Sequence, residues 1–149
     1  MKPQSYWEVN KKYVIQQRNP KIYEDIIVCN ISEIRKVMIY TIILAHWIAD
    51  FICQTNWMAQ NKSKSYKALS LHILSYTTAL ALVMFLITQN PNSFLYALIN
   101  GAVHFVVDAI TSRITSKLYA KGDVHNFFVV IGLDQAIHMT ILVATMGVL

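Results

Sequence analysis

Hydrophobic residues are spread unevenly along this chain. Polar and charged side chains dominate up to residue 36, and from Val37 onward long apolar runs alternate with short polar breaks. Four runs, 37–58, 66–88, 93–112 and 125–148, reach the roughly 20 residues that a helix needs to cross a bilayer. The breaks between them carry turn chemistry. Asn61-Lys-Ser-Lys-Ser65 offers Ser63 or Ser65 as a helix cap, Pro91 stands where a helix begins anew, and Lys121-Gly122-Asp123 ends one helix and caps the next. Connections this short make consecutive helices antiparallel neighbours. The pattern therefore predicts an all-α, polytopic membrane protein: a four-transmembrane-helix up-down bundle over 37–149 behind a polar N-terminal extension, 1–36. In the extension, Ile22, Ile26, Ile27, Ile31 and Ile34 recur at helical spacing. They predict an amphipathic interfacial helix over 22–36, with a soluble cap or a disordered arm as equal alternatives.

Composition agrees with the pattern. The chain is 55% hydrophobic and 14% charged, against about 25% charged in soluble domains. A net charge of +5 suits anionic lipid better than nucleic acid once basic loops flank apolar spans. Orientation stays open, because seven Lys/Arg precede the first span and six (Lys62, Lys64, Lys67, Arg113, Lys117, Lys121) lie by the loops of the opposite face. Cys29 and Cys53 lack the spacing of a disulfide framework or a thiolate metal knuckle. The first 36 residues carry no cleavable signal pattern, with Lys11, Lys12 and Arg18 among polar neighbours.

The chemistry lies in the polar residues inside the apolar runs. Three pairs stand four apart: His46 with Asp50, His104 with Asp108, and Asp134 with His138; His72 has no such partner. A carboxylate in mid-membrane costs about 2.5–3.5 kcal/mol on the insertion scale, so three such pairs call for a function. Residues four apart share a helix face. The order His-then-Asp on the first and third runs is reversed on the fourth, which puts like groups at like depths on antiparallel helices. Measured from the basic-loop face, the aspartates fall roughly 12–14 Å deep, the paired histidines 18–20 Å, and His72 only about 9 Å. His46-Trp-Ile-Ala-Asp50 and His104-Phe-Val-Val-Asp108 also suggest duplicated helical hairpins around one centre.

Imidazole and carboxylate together suit a divalent metal, Zn²⁺ first, with Mn²⁺ and Fe²⁺ behind it. His46, Asp50, His104, Asp108, Asp134 and His138 are the candidate ligands. A carboxylate beside each histidine could instead fix an imidazole tautomer from behind. His72 is a ligand or proton carrier, although a lone membrane histidine is more often a hydrogen-bond partner of a neighbouring helix. Gln54, one further turn along the His46–Asp50 line, and Gln135 are orienting residues. Lys62, Lys64 and Arg113 near the opening can hold an anion, or simply anchor the interface. A proton relay or a buried polar network is the plainer competitor. Haem is disfavoured by the carboxylate one turn from three of the four histidines. Asp123 and His125 read as a helix cap and its neighbour.

Several stretches carry a resemblance to a bacterial and phage family of small membrane proteins catalogued as domain of unknown function 3307. They are Leu44-Ala-His46-Trp-Ile-Ala-Asp50-Phe-Ile-Cys-Gln54-Thr-Asn-Trp57, Asn61-Lys62-Ser-Lys64, Leu71-His72 with Tyr76, His104-Phe-Val-Val-Asp108 and Gly132-Leu-Asp134-Gln135-Ala-Ile-His138. The resemblance implies a four-helix membrane core built around these polar residues and a home in the bacterial inner membrane. It brings no activity with it.

Taken together, the expectation is a metal-dependent hydrolase of a lipid-borne or membrane-accessible phosphoester. The protein would be embedded in lipid, bind no nucleic acid and be capable of homo-oligomerisation. A metal-ion or proton transporter, and a structural or inhibitory membrane protein, are the alternatives. Access from one face marks the enzyme; access from both marks the carrier.

Overall fold

The computed structural model describes residues 19–149, apart from the side chain of Tyr23. The expectations for Lys11, Lys12 and Arg18 lie outside the described residues. Helix α1 spans Pro20–Trp47, its first residue a proline whose missing N–H would be unsatisfied there anyway. A π-helical turn, Ile48–Ile52, follows directly. After it come α2 (Asn56–Asn61), α3 (Tyr66–Thr88), α4 (Asn92–Ala120) and α5 (Val124–Ala144), and a closing 3₁₀ turn, Thr145–Val148. The described residues contain no strand.

The chain divides into two compact units, one ending at Tyr40 and the other comprising Thr41–Leu149. In the first, the described residues are helical from Pro20 onward, and Ile22, Ile26, Ile27, Ile31 and Ile34 are all exposed. The exposed Lys36–Glu33 ion pair, 2.7 Å long, adds little to stability.

In the second unit, α3 packs along α4 and α4 along α5, while the π turn and α2 lean on α3. The caps are local. Ser65, not Ser63, accepts from the Ala68 N–H at 3.4 Å, and Asp123 accepts from the Asn126 N–H at 3.2 Å. Hydrogen bonds from Asn126 hold the Asp123 carboxyl below the usual carboxylate range. Gln89 ends α3 in the left-handed region (φ 52°), just ahead of Pro91. Gly101 on α4 is needed for helix approach: a Cβ there would lie 2.1 Å from Thr77 Oγ1 and 3.2 Å from Thr77 Cβ.

Among the described residues three helical segments, not four, are long and apolar enough to cross a membrane: Tyr66–Thr88, Asn92–Ala120 and Val124–Val148. The expected first span, 37–58, is not one helix. Glu33, Arg35 and Lys36 lie in α1 immediately before the apolar stretch, so no long uncharged window fits before the α-helix ends at Trp47. The rod then passes through the π turn and breaks at 53–55. The freed Cys53 carbonyl is not left bare; it accepts from Ser75 Oγ of α3 at 2.9 Å.

Burial in this unit inverts the soluble pattern. Leu74, Leu86, Leu98 and Phe128 are more than 60% exposed, while His46, Asp50, His72, His104, Asp108 and His138 are at most 4% exposed. Lipid, rather than water, is the solvent that tolerates such an outside.

Candidate metal centre

The buried and half-buried polar residues come from α1 with its π turn, α3, α4 and α5. The end of α1 supplies His46 and the π turn Asp50; α3 supplies His72, α4 supplies His104 and Asp108, and α5 supplies Asp134, Gln135 and His138. The π turn takes one more residue per turn than an α-helix, and both of its buried residues, Ala49 and Asp50, face inward.

Four atoms converge at the middle. His72 Nε2 lies 3.2 Å from His104 Nε2, 3.2 Å from Asp50 Oδ1 and 3.3 Å from Asp108 Oδ2. His104 Nε2 lies 3.4 Å from Asp50 Oδ1 and 3.6 Å from Asp108 Oδ2. A four-coordinate ion with bonds of ~2.0–2.1 Å separates its ligand atoms by about 3.3–3.4 Å. The two triangles that share the His72–His104 edge therefore each have the size of one face of such a shell. A hydrogen-bond network explains these distances less well. His72 Nε2 carries at most one proton yet faces two carboxylate oxygens and a second imidazole nitrogen, whereas a cation serves all of them. Both carboxylates face Nε2 rather than Nδ1, the geometry of co-ligands rather than of partners that fix a tautomer from behind.

Ring nitrogens without partners point the same way. His138 is 3% exposed and neither of its nitrogens has a hydrogen-bond partner; its Nδ1 lies 3.5 Å from Asp134 Oδ2. Ligand atoms also come within 4.8 Å of one another in the groups His46–Asp50–His138 and His104–Asp108–His138. Six of the seven residues expected from the sequence thus sit in close sets. Asp134, the seventh, lies outside those sets. Its Oδ1 is 2.5 Å from Thr111 Oγ1 and its Oδ2 accepts from Gln135 Nε2 at 3.0 Å.

Gln135 ties the set together. Its Nε2 also donates to Asp50 Oδ2 at 3.1 Å, while its Oε1 lies 3.2 Å from His46 Nε2. His46 Nδ1 is 3.1 Å from Tyr76 OH. If Tyr76 donates to Nδ1, Nε2 carries the proton and donates to Gln135. His46 then has both nitrogens committed and acts as a support. Tyr76 is 1% exposed and stacks on His104 with ring centroids 4.1 Å apart. Tyr76 is not among the candidate site residues that the sequence marks, although it stands four after His72 and so shares its face.

The depth expected for His72 is corrected by these distances. Counting inward from each loop places a residue along its own helix only, whereas contacts of 3.2 and 3.3 Å put the imidazole of His72 level with the Asp50 and Asp108 carboxylates. Gln54 is corrected as well: the helix breaks before it, so it does not extend the His46–Asp50 face, and its Oε1 is buried without a partner.

A cavity of about 710 Å³ adjoins the cluster. Asp50, Asp108 and Asp134 line its inner end, Gln54, Thr111, Ser112 and Thr115 its wall, and Lys64, Gln60 and Tyr119 its exposed rim. Lys62 reaches in from beyond α2, with Nζ 2.7 Å from Asp108 Oδ2. Arg113, expected at the same mouth, does not line it. Its guanidinium lies over the Tyr66 ring, 4.7 Å from the centroid, and donates to the Ala109 carbonyl. At the other end of the cluster the interior is filled. Tyr76, Leu80, Met84, Tyr96 and Leu142 are no more than 1% exposed, and Tyr96 OH donates to the Leu142 carbonyl at 2.9 Å.

These features define a class: an all-α protein with membrane-capable helices and a buried His/Asp cluster able to hold a metal ion. More narrowly, residues 38–149 match the family model described as Protein of unknown function (DUF3307), and the chain belongs to that family. It matches no curated protein and no solved structure.

Proposed function

We propose that this protein is a metal-dependent hydrolase acting within the membrane on a lipid-borne or membrane-accessible phosphoester. The observation that carries the reading is the convergence of His72, His104, Asp50 and Asp108 at ligand-edge distances, beside a cavity with its rim at one end of the bundle. His72 and His104, with Asp50 or with Asp108, would hold a divalent ion, Zn²⁺ or otherwise Mn²⁺ or Fe²⁺, with His138 the next ligand in reach. A bound divalent ion would polarise a phosphoryl oxygen and bring the pKa of its water towards ~7. Gln135 and Tyr76 hold the carboxylates and His46 in place. Asp134 stands at the cavity wall, tied to Asp50 through one amide, where it can take up or return a proton. Thr41–Trp47, the π turn and the short α2 together would serve as the fourth crossing, with the freed Cys53 carbonyl at its break satisfied by Ser75. A bacterial inner membrane is the setting that fits this reading.

The filled interior beyond Tyr76 favours an enzyme over a carrier, since a carrier needs access from both ends. The test is phosphate release from short-chain phosphomonoester and phosphodiester lipids by the metal-loaded protein in nanodiscs, beside Asp50→Asn. Turnover that depends on metal and is abolished in Asp50→Asn supports the reading. Metal binding without turnover, but with metal flux in proteoliposomes, favours the carrier.

A further inference from the structure

We propose that Lys62 is a displaceable internal cation, which makes the cavity a metal-gated site for phosphate-type oxyanions. The inference rests on the metal-site reading above and adds an order of binding to it.

The cavity lining as a whole carries three carboxylates, Asp50, Asp108 and Asp134, against two lysines, Lys62 and Lys64. With the carboxylates ionised and the histidines neutral, that sums to one net negative charge, and an anion is repelled. One divalent ion turns the sum to one net positive charge. Lys62 stands where this change is felt. Its Nζ is 2.7 Å from Asp108 Oδ2, the same oxygen that lies 3.3 Å from His72 Nε2 and 3.6 Å from His104 Nε2. An ion using that oxygen with both imidazoles sits within roughly 5 Å of the ammonium, and two such charges repel strongly even at an effective dielectric near 20. Lys62 therefore neutralises Asp108 before the metal arrives and withdraws when it binds.

The withdrawn side chain has a short path. It projects from the segment that ends α2, is one-fifth exposed, and shares the cavity with Lys64. Ser112 Oγ, buried without a hydrogen-bond partner on the cavity wall, is a free donor for an oxyanion there. Metal first and anion second is the resulting order, with one lysine serving both states.

The test uses the full chain in nanodiscs, with Mn²⁺ alone and then inorganic phosphate as probes. Wild type, Lys62→Met, Lys62→Gln and Lys117→Met are compared by equilibrium dialysis. Each neutral Lys62 variant is expected to bind Mn²⁺ at least about tenfold more tightly than wild type, because a repelling charge is gone. Each should also lose metal-dependent phosphate retention by at least about tenfold. Lys117→Met should leave Mn²⁺ affinity within about twofold, since Lys117 is exposed and lies outside the cavity lining. Unchanged or weakened Mn²⁺ affinity in a folded Lys62 variant overturns the proposal while leaving the metal site standing. Phosphate retention by metal-free wild type overturns it too. Failure of every form to bind Mn²⁺ overturns this proposal and the reading beneath it together.

Discussion

Replacing Gly101 by alanine separates the metal centre from the fold that carries it. Gly101 lies on α4 one turn before His104, and it faces Thr77 on α3, next to Tyr76. An added Cβ would stand 2.1 Å from Thr77 Oγ1, 3.2 Å from its Cβ and 3.3 Å from its Cγ2. Turning the hydroxyl aside relieves the first contact but not the second, because Cβ does not move with χ1. Carbon atoms rest at about 3.5–4.0 Å, so α3 and α4 must part locally by roughly half an ångström. Overpacking of this kind costs about 1–3 kcal/mol, and alanine returns about 1 kcal/mol over glycine in a helix interior, so the fold loses little. The site loses more. His72 and His104 hang from these two helices with their Nε2 atoms 3.2 Å apart, and ligand distances tolerate only about 0.2 Å. Gly101→Ala should therefore weaken metal binding by about 10–100-fold while Tm falls by only a few degrees. Adding Thr77→Ala should recover much of the affinity. Metal titrations followed by circular dichroism in detergent would measure both quantities. Wild-type metal affinity in Gly101→Ala, with the fold intact, would refute the claim that this close approach sets the His72–His104 distance.

Gln135→Leu removes the amide that bridges Asp50, Asp134 and His46, and metal affinity should fall about 10–100-fold in a dialysis assay, as for other supports behind ligands. Tyr76→Phe keeps the stack on His104 but takes away the hydroxyl beside His46, so a loss below about tenfold is expected. A Tyr76→Phe protein with no bound metal at all would mean that His46 is a ligand rather than a support. Ser75→Ala frees the Cys53 carbonyl and should cost about 1–3 kcal/mol of stability in thermal unfolding, with the loosened break after the π turn showing as faster amide exchange.

Much of this architecture was legible in hydrophobic pattern and spacing, and the parts that were not have identifiable causes. The runs at 66–88, 93–112 and 125–148 read directly as helices because turn residues bracket each of them. The four-residue spacing of His and Asp marked the shared face, and five of the six residues it marked lie together, joined by His72. The break after Asp50 carried no signal. The segment 48–55 is as apolar as a helix, and only a backbone seen against Ser75 explains why the chain can leave the α-helix there. His72 read as shallow because sequence counts rise along each helix separately and cannot say where neighbouring helices start. Lys62 binding Asp108, and Gln135 facing Asp50 and His46, are contacts across 46 to 89 residues of sequence; they arise from packing and have no local signature. Arg113 was misplaced for the same reason, since the ring of Tyr66 offers its guanidinium a nearer partner than the cavity does.

The central claim is that the His/Asp cluster holds a divalent ion, and elemental mass spectrometry on the detergent-purified protein tests it most directly. Wild type should carry one or two equivalents of a transition metal, and Asp50→Ala and His72→Ala should lose it while keeping their helicity. Asp134→Ala, which changes a residue outside the close ligand sets, should retain it. A helical wild type without metal, after purification with added metal and no chelator, would contradict the account.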